Sequence, residues 1–162
     1  MLPFGIRPHC GHSYFQAYFA SMTKSVAAYL VNGRVLIAPS VRTTSGVGLE
    51  IGPQNLGTSP DLKEVEVGLA TAFGRSEWIV PHPVQSEWKG SFDPFLKAAG
   101  VRSLKAFMAT AQLIYVDEKD GEWIVTPHRN LGAKEGFEPI EEDRQRLPDL
   151  SAVANAVLDL KP

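Results

Sequence analysis

Two runs of β-branched and apolar residues, Val26 to Val31 and Arg34 to Val41, flank Asn32-Gly33, a pair that accepts the positive φ angles of a type I′ turn. The pattern predicts a β-hairpin. Over residues 43 to 59, Gly46, Gly48, Gly52, Pro53 and Gly57 interrupt regular structure and leave Val47 to Ile51 as one short strand with alternating faces. The period then changes. Leu62, Val65, Leu69, Ala72 and Phe73 recur at helical spacing, with Ser59 as the cap, Pro60 at the first position, Asp61 at the positive end of the dipole and Gly74 as the stop. A helix of about two turns is predicted between Asp93 as cap and Gly100 as terminator, with Pro94 at its first position and Phe95 and Leu96 facing the core. Leu104 to Val116 reads as one long or two consecutive strands, Lys119-Asp120-Gly121 as a turn, and Trp123 to Thr126 as the returning strand, after which Pro127, Gly132 and Gly136 break the chain. Pro148 to Leu160 is an amphipathic helix with Leu150, Val153, Val157 and Leu160 on one side.

Both halves therefore run hairpin, loop, helix. Pro60-Asp61-Leu62, Val65, Gly68, Leu69 and Ala72 correspond to Pro148-Asp149-Leu150, Val153, Ala156, Val157 and Leu160, each pair 88 positions apart. A duplicated strand-strand-helix unit would give this pattern, and so would independent use of the same capping residues. The architecture expected is α+β: a single domain, a mainly antiparallel sheet and helices gathered on one face. Residues 25 to 162 form that domain, and residues 1 to 24 are an N-terminal extension whose terminal position favours flexibility, with Met22 an alternative start to Met1.

Composition fits this picture. The 162 residues are 44% hydrophobic and 21% charged, enough for one ordinary core. A formal net charge of -2 provides no general attraction to nucleic acid or to an anionic membrane, and no apolar run approaches the ~20 residues of a membrane span. The charge is uneven, however. Residues 1 to 116 hold ten basic and seven acidic side chains, residues 117 to 162 six and eleven. Cys10 is the only cysteine, so no internal disulfide can form, and with no signal-peptide pattern the expected location is the cytoplasm.

Candidate chemistry is sparse. His9, Cys10 and His12 have metal-ligand types but no complementary pair later in the chain, where only His82 and His128 remain. No Gly-x-Ser-x-Gly, phosphate loop or dinucleotide fingerprint is present, and Gly46-Val47-Gly48 lacks the rest of a phosphate motif. No catalytic, cofactor or metal residue is assigned. The rival reading is a small hydrolase or metal-dependent enzyme that uses His82, His128 and the carboxylates from Glu138 to Asp143. Trp78 and Trp88 lie in a polar, Pro-rich connection, where they either pack beneath the loop or anchor an interface with a partner or a second copy, whereas Trp123 lies in a strand and belongs to the core. Glu135, Glu138, Glu141, Glu142 and Asp143 form an acidic run in the loop before the last helix, either a solvated surface or a site for a basic partner.

The order of these segments resembles the immunity proteins of bacterial contact-dependent growth inhibition over about residues 26 to 160. The resemblance is carried by Val67-Gly68-Leu69-Ala70 followed by Arg75-Ser76, by Ser103-Leu104-Lys105-Ala106-Phe107, by Ile124-Val125-Thr126-Pro127-His128, by Lys134-Glu135-Gly136-Phe137 and by Pro148 to Leu160. The Gly-rich stretch Thr44 to Gly57 and the extended N-terminus depart from the family pattern. The resemblance implies a cytoplasmic protein without catalytic residues that forms a heterodimer with the C-terminal nuclease domain of one cognate toxin, often a tRNase, and blocks it. It implies partner-binding residues rather than an active site, and the acidic run and Trp78 and Trp88 are the candidates.

Overall fold

The computed structural model describes residues 23 to 161; Cys10, His9, His12 and the proposed start at Met22 lie outside them. Asn32 (φ 49°) and Gly33 (φ 71°) turn β1 (Lys24–Val31) into β2 (Arg34–Thr43), the predicted hairpin. β3 (Gly48–Glu50) and β4 (Gln54–Asn55) then return along the outer edge of β2.

Helix α1 (Leu62–Arg75) is capped by Asp61 rather than Ser59. The Asp61 carboxylate accepts from the Glu64 N–H and the Glu64 carboxylate from the Asp61 N–H, each at 2.8 Å, a reciprocal box in which the cap alone is worth about 1 kcal/mol. The helix also runs past Gly74, because Ser76 closes it from a right-handed conformation and its hydroxyl donates to the Phe73 carbonyl at 2.7 Å. β5 (Ile79–Val80) pairs with β2 in parallel, and the short helices α2 (Gln85–Trp88) and α3 (Asp93–Ala99) follow.

Leu104 to Thr110 is not a strand. It forms helix α4 (Leu104–Thr110), because the Ser103 hydroxyl accepts from the Ala106 N–H at 3.1 Å and Leu-Lys-Ala-Phe-Met-Ala contains no β-branched residue to oppose a helix. β6 (Gln112–Lys119) and β7 (Glu122–Asn130) form the second hairpin, turned by Asp120 (φ 54°) and Gly121. β7 continues through the expected break at Pro127. Its carbonyl accepts from Ile140 on the outer side of the sheet, so its nitrogen points the same way and no bond to β6 is lost. β8 (Phe137–Pro139), a 3-10 turn (Glu141–Asp143), β9 (Gln145–Leu147) and α5 (Leu150–Leu158), capped by Asp149, complete the chain.

The main sheet order is β3-β2-β1-β6-β7-β8, and β4, β5 and β9 extend it. Alternation along β1 sends Val26, Ala28 and Leu30 to one face, where α1 and α5 supply Val65, Leu69, Phe73, Val153 and Val157. Ala27, Tyr29 and Val31 face the other way, onto Phe95 of α3 and Phe107 and Met108 of α4. Helices therefore cover both faces, not one, as two-sided burial of β1 and β2 requires. Trp123 joins the first core, meeting Phe73 edge-on at 5.1 Å.

The 88-residue offset extends beyond the helices. It relates the hairpin turns Asn32-Gly33 and Asp120-Gly121, the strand prolines Pro39 and Pro127, and the caps Asp61 and Asp149. Ala27 lies opposite Tyr115, its own counterpart, across the antiparallel β1–β6 pair. A pseudo-twofold axis thus passes between them, and two strand-strand-helix units share one sheet, an arrangement that shared capping alone does not produce.

Candidate functional site

The acidic run is more structured than a loop. β8 and β9 both pair with β7, at His128 to Asn130 and at Trp123 to Val125, and the edge between them bulges outward opposite Thr126 and Pro127. Pro127 offers that edge no N–H, so an unbroken edge strand would lack a ladder bond there. Glu141, Glu142 and Asp143 occupy the 3-10 turn that fills this gap, and all three are exposed. Glu138 lies on β8 and Glu135 on the approach to it, both exposed.

Arginines temper the negative charge. Arg129 pairs with Glu138 at 3.4 Å and Arg144 with Glu141 at 3.6 Å, while Arg146 reaches Glu122 at 3.2 Å. Such exposed pairs contribute little to stability but lower the local field. Residues 129 to 149 hold four basic and six acidic side chains, so the surface stays negative and its least compensated part is the turn itself.

Trp78 and Trp88 part ways. Trp88 is half-buried and meets the His82 ring edge-on at 5.6 Å, so it packs beneath its own loop. Trp78 is 53% exposed, with the Arg75 guanidinium 5.4 Å above its ring, and Ile79 and Val84 beside it in sequence are 68% and 60% exposed. Three large apolar side chains are thus exposed on one short connection, which makes it a candidate interface. This connection is held to β2, whereas the acidic turn is held to β7, and β1 and β6 lie between those strands. The two sets of candidates are separate surfaces.

The structure does not bring the histidines together. His82 Nδ1 lies 3.1 Å from the Thr43 hydroxyl at the end of β2, whereas His128 on β7 shares a row with Leu113, Tyr29 and Leu36. From Thr43 that row is seven residues along β2 and three strands across, about 23 Å and about 14 Å at ordinary spacings. Among the described residues no three His, Cys, Asp or Glu side chains are grouped so as to hold a metal ion, and no helix is long and apolar enough to cross a membrane.

Sequence reasoning overlooked Glu50. Its carboxylate is enclosed between the Tyr29 hydroxyl, which donates to it at 2.6 Å, and the Tyr115 hydroxyl, which also donates to it. Burial pushes the Glu50 carboxyl up to about 7 from its ordinary 4.5, against the lowering effect of the Tyr29 bond. Burial, followed by the charge and hydrogen bond of Glu50, raises the Tyr29 hydroxyl well above its ordinary range. The available signal was a strand position opposite a row of small residues. Ile79, Val84 and the arginines at 129, 144 and 146 were also missed, though the Arg-Gln-Arg spacing after the acidic run was visible in the sequence.

No protein family matches the chain by sequence, and no curated protein does. The fold is shared with solved structures. A protein of unknown function from Neisseria meningitidis aligns with a TM-score of 0.67 at 11% identity, covering 87% of this chain and 96% of that one. A chain of a CdiA-CT/CdiI toxin and immunity complex from Yersinia pseudotuberculosis aligns with a TM-score of 0.65 at 6% identity, covering 85% of this chain and 94% of that one.

Proposed function

We propose that the protein is an immunity protein of contact-dependent growth inhibition, which binds the C-terminal domain of a cognate toxin one to one in the cytoplasm and neutralises it. The observation that carries this reading is the fold likeness to a chain of a toxin and immunity complex, spread over nearly the full length of both chains. The sequence resemblance points to the same family from different evidence, namely the order of its motifs.

The target is a nuclease domain, in keeping with the resemblance, and a tRNase is the leading candidate. A nuclease needs a basic surface to hold phosphates, and the exposed Glu141 to Asp143 turn offers complementary charge for that surface. Trp78, with Ile79 and Val84, is the apolar anchor, since exposed aromatic side chains are where interface energy concentrates. Trp88, half-buried against His82 on the same connection, is the second aromatic candidate for the contact. No residue of this chain is assigned a catalytic role.

Cells producing the toxin domain encoded beside this chain should survive when the chain is co-produced and die when it is absent. Survival with an unrelated immunity protein of the same fold, or death despite a well-folded cognate chain, would remove the proposal.

A further inference from the structure

Glu50 starts on β3, at the outer edge of the sheet opposite Ser40 of β2, yet its carboxylate ends on hydroxyls that belong to β1 and β6. The side chain therefore crosses β2. It can do so because Ala38 and Ala27, paired with each other and fully buried, are the residues beneath it. The far end of the clamp is rigid. Tyr29 is wedged edge-on among Phe95, Phe107 and Phe137, with ring centroids 5.7 to 5.9 Å apart, and Tyr115 lies 5.0 Å from the His128 ring at the pseudo-twofold axis. The near end is short. β3 has three paired residues; its flanks are tied by Thr43 and Val47, by the Ile51 N–H donating to the Pro39 carbonyl at 3.2 Å and by Arg75 donating to the Gly52 carbonyl at 3.1 Å, and beyond them β4 has its own pairing with β2.

We propose that Glu50 is a proton-linked latch: clamped between Tyr29 and Tyr115, its carboxyl holds β3 and the adjoining residues 44 to 53 against the sheet, and it loosens that hold as it ionises. Among the described residues, the titratable and charged groups on the face that meets the clamp are Tyr29 of β1, Tyr115 and Asp117 of β6, Arg42 of β2 and, behind Tyr115, His128 of β7; Asp117 shares the register row of Glu50 through Ser40 and Ser25, whose hydroxyl donates to it. Ser40, Ala38 and Leu36 of β2 and the phenylalanines of α3, α4 and β8 make up the rest of the surroundings. Enclosure favours the protonated carboxyl, which agrees with the rise to about 7. A raised folded value means that the latch is firm below the ordinary 4.5 and weakens as pH rises through about 7. Between pH 6 and 8 the opening equilibrium of this segment should grow about tenfold.

The test uses the full chain. A carbon-detected NMR titration follows the Glu50 carboxyl, and hydrogen exchange, corrected for intrinsic rates, follows residues 48 to 53 at pH 6 and pH 8 in the wild type, Glu50→Gln and His128→Gln. The expected result is a carboxyl midpoint far above 4.5, a roughly tenfold loss of protection in the wild type and in His128→Gln, and no loss in Glu50→Gln. A midpoint near the ordinary value overturns the proposal even if Glu50→Gln fails to fold. So does a pH response that survives in Glu50→Gln or disappears in His128→Gln, which would assign it to the histidine.

Discussion

Reversing Glu142 and Asp143 to Lys tests the acidic turn more cleanly than reversing all three carboxylates, because Glu141 is held by Arg144 and its replacement would also break that pair. Both target residues are exposed, and the double variant changes the turn by four charge units. Consider one positive charge on the toxin about 10 Å away in the encounter complex. In water each unit pair is worth about 0.4 kcal/mol before screening. At 0.15 M salt, with a Debye length of about 8 Å, the four-unit change slows association about twofold per toxin charge in reach. At 0.01 M salt, with a Debye length of about 30 Å, the figure is about sevenfold. Three basic side chains in reach would therefore give about a tenfold slowing at physiological salt and a much larger one at low salt. Stopped-flow association across this salt range measures both numbers, while dissociation should change far less. A thermal melt must match the wild type, since neither side chain contacts the core. If a folded variant associates at the wild-type rate with the wild-type salt slope, the turn is solvated surface and the reasoning fails.

Three other perturbations probe the rest of the account. Trp78→Ala should weaken the toxin complex by about 2 kcal/mol by calorimetric titration and move the melting temperature little; unchanged affinity would exclude the Trp78 patch from the interface. Ser103→Ala removes the α4 cap and should cost about 1 kcal/mol, a drop of about 2 to 4 °C in melting temperature, so an unshifted melt would show that the cap contributes nothing. A chain beginning at Met22 should melt cooperatively and still protect against toxin, because β1 starts at Lys24; a broad, non-cooperative melt would show that Tyr14, Phe15, Tyr18 and Phe19 are needed for the fold.

Much of the fold was legible because local chemistry and tertiary structure agree. Asn32-Gly33 and Asp120-Gly121 can adopt positive φ cheaply, and the long helices carry both a cap and an apolar stripe. Legibility failed where a segment was short or its partner distant. Leu104 to Met108 is apolar enough for a strand, and only the Ser103 cap and the absence of β-branching marked it as a helix. Pro127 suggested a break because sequence does not reveal which side of a strand a nitrogen faces. The surface was harder to read than the core. Composition revealed that the C-terminal third is acidic, but not that Pro127 makes its edge strand bulge or that arginines compensate part of it. Trp78 and Trp88 looked alike in sequence, and only the fold separates the exposed ring from the one packed on His82.

The proposed activity is stoichiometric neutralisation of a toxin domain. A titration of the purified chain into a fixed amount of the proposed cognate toxin domain, well above the expected dissociation constant, tests this by following cleavage of transfer RNA and other nucleic acids. Activity should fall linearly to zero at one chain per toxin domain, with a one-to-one complex by light scattering and no turnover by the chain alone. Residual toxin activity at a large molar excess of folded chain, with no complex detected, would contradict it.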